Sequence, residues 1–363
     1  LYNKICEIFK RRGTMSVTIR DVAKEAGVST STVSKVLNNW SSISPDTCAR
    51  VHAAIEKLHY TPNARAVSFA RGATKNILFL SSLKKEEAYH NPHMFDILCG
   101  IQKELSAHGY TLMLTDIPPD TSPEEFLTDQ ISSQIADGIL IHGSCSIPNL
   151  SRILSETQFP HIYIGHPIRR SNLCWIDTNH GLAGQFAAQH MLECRYEKAA
   201  FLAERRTDDI STRRLNGFLG GMYDYGYRIP EEYIRYTDSS GEDAYRQSMA
   251  LLSLPEPPRA IVCENNLLAL SLCKALQEKH LRVPDDVAFL TFDSYPYSAL
   301  IEPTPTIIDI DVYDLGVQAA VMLLRKLENP SLLVQSYTTL PVLRQGATIK
   351  NRLRLFNSPA PQS

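Results

Sequence analysis

Apolar residues recur three and four positions apart at the front of this chain. Further on they form short apolar runs separated by amphipathic stretches. Between Thr18 and Asn38, TIRDVAKEAGVSTSTVSKVLN, the residues Ile19, Val22, Ala23 and Ala26 share one helical face, and Val33, Val36 and Leu37 share another. Thr18 can cap the first helix, with Asp21 in the capping-box position, and Gly27 suits its C-terminal end. Ser29 can cap the second helix. Ser44-Pro45-Asp46 opens a third, with Pro at the first helical position, and Val51, Ile55 and Leu58 close a small core. After the break at Tyr60–Asn63, Asn63 can cap a helix of about two turns, too short to be stable alone in water. Phe69 is its one large apolar residue.

From residue 76 the period changes. The runs at 76–81, 111–115, 138–142, 161–165, 199–203, 261–263 and 287–292 read as strands. Helical patterns fall at 95–108, ending at Gly109, at 123–135, and from Gly181 to about Glu193. Strands alternating with helices predict parallel sheets, and the series restarts near residue 177. Two similar halves hinged across a cleft suit a ligand at the C-terminal ends of the strands.

Charge sharpens this division. The net charge of -2 suggests no particular partner, but residues 1–72 hold eleven Lys/Arg against five Asp/Glu, leaving 26 against 34 in the remainder. A basic head on an acidic body points to a polyanion partner for the head alone. The eight cysteines form no C-x-x-C pair, as expected for free thiols in a reducing cytosol. No run approaches a membrane span, and no signal-peptide pattern is present, so the expectation is a cytoplasmic protein. Residues 1–14, ahead of Met15, read as an upstream extension or a cloning remnant.

The second helix would direct Thr30, Ser31, Ser34, Lys35 and Asn38 to solvent or DNA. A recognition helix sets its N-terminal residues against base edges. Lys35 could donate to guanine, and Thr30 could hydrogen-bond a base or touch a thymine methyl. A three-helix module that docks a protein is the alternative from the residues alone. For the body, no catalytic, metal or cofactor motif is found. His142-Gly143-Ser144-Cys145 reads as a strand end and loop. An enzyme and a transport-class solute-binding protein remain formal rivals; the second would need an export signal.

TIRDVAKEAGVSTSTVSKVLN followed by LHYTPNARAVSFARG resembles the lactose-repressor family of bacterial transcription regulators. NPHMFDILCGIQKEL, DGILI, WIDTNHGLAG, RRLNGF, ENNLLAL and FDSY continue the match along residues 16–348. The resemblance implies a small all-α helix-turn-helix DNA-binding domain (15–62) and a hinge helix and linker (63–74). It also implies an α/β periplasmic-binding-protein-like body (75–350) of two doubly wound parallel-sheet subdomains, with a flexible tail at 351–363. The lobes would hold about 75–176 with 308–336, and 177–307 with 337–350. Paired hinge helices of a homodimer would open the centre of a near-palindromic operator. The DNA-facing set is then Thr18, Ser29, Thr30, Ser31, Thr32, Ser34, Lys35, Asn38, Asn63, Ala66 and Phe69, with Phe69 as a wedge where Leu is usual. The tail shows no leucine heptad, which favours a dimer over a tetramer.

The resemblance also places effector contacts at Arg214, Asn265 and Asp293, and more weakly at His93, Phe95, Asp177 and Tyr295. The fork of Arg214 suits vicinal hydroxyls, a carboxylate or a phosphate, and a carboxylate beside an amide suits a polyol. Three positions depart from the pattern: Ser239 where an aromatic platform is common, Asn266 where Asp is frequent, and Arg195 where Gly ends a helix. The expected effector is a sugar or sugar derivative. A nucleobase, a phosphorylated metabolite or a protein partner are the alternatives.

Overall fold

Capping decides where the helices of the head begin and end. In a computed structural model, which describes residues 17–37, 40, 42–60, 73–82, 93–167 and 171–350, α1 spans Ile19–Ala26, α2 Thr30–Leu37 and α3 Pro45–Leu58. The Thr18 backbone N–H and hydroxyl both donate to Asp21, at 2.8 and 2.7 Å, closing a capping box in which Asp replaces the usual Glu. Gly27 ends α1 at φ +66. Ser29 accepts from the Thr32 N–H at 3.1 Å, and Ser44 from Thr47 at 3.4 Å. Val22, Val33 and Val51 are wholly buried at the centre of the three helices. The 1–14 extension, the hinge helix with Asn63, Ala66 and Phe69, Asn38, and the tail from 351 lie outside the described residues.

The chain forms two units, Leu1–Thr74 and Lys75–Ser363. The second is built on two six-stranded sheets. Sheet A runs β11-β5-β4-β3-β1-β2 and is parallel throughout. Its strands are β1 (Asn76–Leu80), β2 (Thr111–Thr115), β3 (Gly138–His142), β4 (His161–Ile164), β5 (Trp175–Thr178) and β11 (Ser336–Thr339). Sheet B runs β12-β10-β9-β8-β6-β7, with only β12 antiparallel. It comprises β6 (Ala199–Ala203), β7 (Ile234–Tyr236), β8 (Ala260–Cys263), β9 (Ala288–Phe292), β10 (Thr306–Asp309) and β12 (Val342–Arg344). The helices are α4 (His93–Ala107), α5 (Pro123–Ser132), α6 (Leu150–Thr157), α7 (His180–Glu193), α8 (Asp209–Asp224), α9 (Gly241–Leu252), α10 (Asn266–Glu278) and α11 (Val312–Glu328).

Each sheet is covered on both faces, so its central strands are apolar almost continuously rather than alternating. Ile77 and Phe79 of β1 face α4 and α11, while Leu78 and Leu80 face the side holding Leu127, Ile153 and Leu154. The chain crosses between lobes after β5, β10 and β11, two to three residues later than the family topology suggested. Helix α5 ends at Ser132 rather than 135. The hydroxyls of Ser132 and Ser133 bond back to the carbonyls of Asp129 and Gln130, at 3.1 and 2.9 Å, and compete with continued helix.

Candidate functional site

The C-terminal ends of the sheet B strands carry a dense polar group. Residues following β6, β8 and β9 supply Glu204, Glu264, Asn265 and Asp293. Arg214 enters from α8, and the approach of α8 to α7 decides where it sits. A Cβ on Gly184 would lie 2.0 Å from the Arg214 carbonyl oxygen, and one on Gly217 would lie 2.0 Å from that of Gly181. Only glycine lets these backbones touch, and the contact brings Arg214 beside His180.

Arg214 is 2% exposed, and its fork is occupied. Nη1 and Nη2 donate to the two oxygens of Asp293 at 3.0 and 2.7 Å. Nη1 also reaches the Glu264 carbonyl at 2.9 Å and its carboxyl at 3.3 Å, and Nε donates to His180 Nδ1 at 3.3 Å. Burial opposes the charge on Asp293, but Arg214 above all, with His93, holds that carboxyl well below its usual range. Burial pushes Glu264 well up against the pull of Arg214, so Glu264 takes up a proton before Asp293 does. Because His180 Nδ1 accepts from Arg214, its proton sits on Nε2, facing Asp177 Oδ1 at 3.6 Å. The expected ligand fork of Arg214 is thus closed on the protein's own carboxylates.

The other expected residues separate into groups. Asn265 caps α10, accepting from the Leu268 N–H at 3.0 Å, and its amide donates to Glu204 at 2.5 Å. His93, the first residue of α4, crosses from the sheet A lobe. Its ring lies 4.6 Å from that of Tyr295, and its Nε2 stands 3.6 Å from Asp293, beyond hydrogen-bonding reach. Asp177, at the end of sheet A, is bound by Arg213 of α8 at 2.6 Å, which ties the lobes together. Phe95 stands apart: it is 69% exposed, with no ring partner among the described contacts.

Two departures acquire reasons. Asn266 is wholly buried and donates to the carbonyls of Phe292 (3.0 Å) and Asp293 while accepting from Ser298 (2.8 Å). An ionised Asp could not donate to those carbonyls, so the amide fixes the turn that presents Asp293. Ser239 has φ +70 and donates to Glu204 at 3.0 Å, so this position continues the polar wall instead of offering a ring. Asp293 also has positive φ, at +64. Such strain in non-glycine residues gathers at functional sites. Glu204, Glu264, His180 and Arg213 were missed by sequence reasoning. Glu264 precedes Asn265 directly, and the run of polar residues closing an apolar strand was the available signal.

In the head, Thr30, Ser31 and Lys35 are exposed along one side of α2, opposite the buried Val33 and Val36. Thr18 and Ser29 are exposed at the helix starts, and Thr32 and Ser34 are half-buried. The Ser29 hydroxyl is shared with those of Ser31 and Thr32 at 2.7 and 2.9 Å. Among the described residues no group of His, Cys, Asp and Glu is arranged to hold a metal, and no helix is long and apolar enough to cross a membrane.

Known proteins share both parts. Residues 18–63 match the model of bacterial regulatory proteins of the lacI family, and 188–349 match a periplasmic binding protein-like domain. The chain is 30% identical over 311 residues to the HTH-type transcriptional repressor PurR of Actinobacillus pleuropneumoniae serotype 3 (strain JL03), covering 86% of this chain and 91% of that one. It is 28% identical over 325 residues to the PurR of Haemophilus influenzae (strain PittEE), covering 90% and 95%. Among solved structures, the lac repressor dimer bound to operator and the anti-inducer ONPF aligns with TM-score 0.75 at 22% identity, covering 92% and 99%. The transcriptional regulator CelR–cellobiose complex aligns with TM-score 0.67 at 24% identity over the same shares.

Proposed function

Since the chain belongs to the lacI family of bacterial regulatory proteins and is a transcription regulator rather than an enzyme, we propose that it represses transcription from a near-palindromic operator as a homodimer. In this reading a neutral small molecule in the cleft of the body sets operator affinity. Thr30, Ser31 and Lys35 read bases, and the basic head supplies salt-dependent affinity for phosphates. Phe69 and the hinge residues Asn63 and Ala66 remain part of the proposal.

The observation that carries the effector class is the closed fork of Arg214. The wall around it offers carboxylate oxygens of Glu204, Glu264 and Asp293 in place of a waiting cation. A neutral molecule rich in N–H or O–H donors suits this wall, and a phosphorylated metabolite does not. The name PurR borne by relatives at 28–30% identity favours a purine base. The Asn265 amide beside the Glu204 carboxylate, 2.5 Å apart, favours a sugar as the second reading.

Thermal unfolding of the full chain with purine bases, neutral sugars and sugar phosphates tests this. A ligand at about 100 times its Kd should stabilise the body by about 2.7 kcal/mol. Asn265→Ser keeps the helix cap but removes the amide, and should abolish the shift while leaving operator binding intact. A response to the anionic compounds alone would overturn the proposal.

A further inference from the structure

A tryptophan stands in the open beside the reading helix. Trp40 is 57% exposed, the most exposed large apolar side chain among the described residues of the head. Its backbone N–H donates to the Lys35 carbonyl at 3.1 Å, closing the end of α2. Its own carbonyl accepts from the Ile43 N–H at 3.4 Å, and Ile43 packs on the three-helix core. The backbone is therefore held on both sides of Trp40, and the indole comes under the Lys35 side chain, with Nζ 5.7 Å from the ring centroid.

Lysine is a flexible point charge, and it reads a base poorly unless something limits its directions. An indole face attracts an ammonium electrostatically and leaves its N–H donors free to point outward. We infer that Trp40 is a positioning residue for DNA reading: its ring holds the Lys35 ammonium in the direction from which it meets a base, and so sharpens discrimination at the base pairs that Lys35 reads. This rests on the proposal that α2 reads DNA.

The test uses the full-length protein and duplexes it selects from a random DNA library. Trp40→Ala should lower discrimination about 2- to 5-fold, the equilibrium equivalent of one exposed cation–π contact, at the same base pairs that Lys35→Ala affects. Trp40→Phe should restore most of it. Trp40→Ala should change nothing further in a Lys35→Ala background, and the salt dependence of binding should stay the same. Trp40 and Trp175 are the only tryptophans, so in a Trp175→Phe protein Lys35→Ala should also shift Trp40 emission without DNA. Uniform weakening on every duplex with a shallower salt slope would make Trp40 a phosphate contact and overturn the inference, as would unchanged discrimination. If the wild-type protein selects no sequence at all, the DNA-reading proposal fails first and independently.

Discussion

Arg214 donates inward, which changes what its removal would do. A surface arginine waiting for ligand could be deleted with little loss of stability. Arg214→Ala would instead leave Asp293 and Glu264 facing each other, buried and without a cation. Breaking a buried ion pair in this way costs about 3–5 kcal/mol. A lowered urea midpoint in the absence of any ligand is the expected result, and unchanged stability would mean the pair is hydrated in solution. The position of Arg214 was legible three residues before Gly217, but its role was not. Sequence shows which group can fork a ligand; it does not show that carboxylates 50 and 79 positions later have already taken the fork. Arg195, where the resemblance leads one to expect a helix-ending glycine, takes the left-handed conformation itself, at φ +63.

At the scale of elements, the contact between α7 and α8 positions the polar group. Gly217→Ala must push Gly181 away, so it should displace α8, lower the melting temperature and weaken any effector response together. Gly220 lies on the same helix with nothing within 4 Å of its would-be Cβ. Gly220→Ala should therefore stabilise by about 0.4–1 kcal/mol. Equal effects of the two substitutions in calorimetry would rule out the close approach as the cause. β3 and β6 were legible to the residue because buried parallel strands are bounded apolar runs, and β2, an edge strand that is only partly covered, because its TLMLT run is apolar at the centre. The short edge strands were not, since β11 (SYTT) and β7 (IRY) are polar or brief and owe their form to the neighbour that pairs them.

The whole body shares a dependence on pH. Burial holds His142 (down to about 4), His161, His180 and His190 below the usual imidazole value. The unfolded chain binds protons at these sites first, so their stabilisation is full above about pH 6.5 and is lost as pH falls through the folded values. Each imidazole that stays neutral in the fold contributes a slope of up to about 1.4 kcal/mol per pH unit. Glu264, raised by burial, opposes this by one proton. Urea titrations at pH 7.5, 6 and 5 should show stability declining, and a flat profile would mean the imidazoles charge without unfolding. The three crossings between lobes have a different consequence, one of timing. Sheet A begins at residue 76 and has five of its strands by 178, yet its edge strand ends at 339 and the helix that packs on α4 spans 312–328. At ribosomal rates of roughly 5–20 residues per second, that lobe waits on the order of ten to thirty seconds with an open edge and a bare apolar face. The lobe that emerges first closes only with residue 339, and in that interval nascent chains would be most exposed to aggregation and most dependent on chaperones.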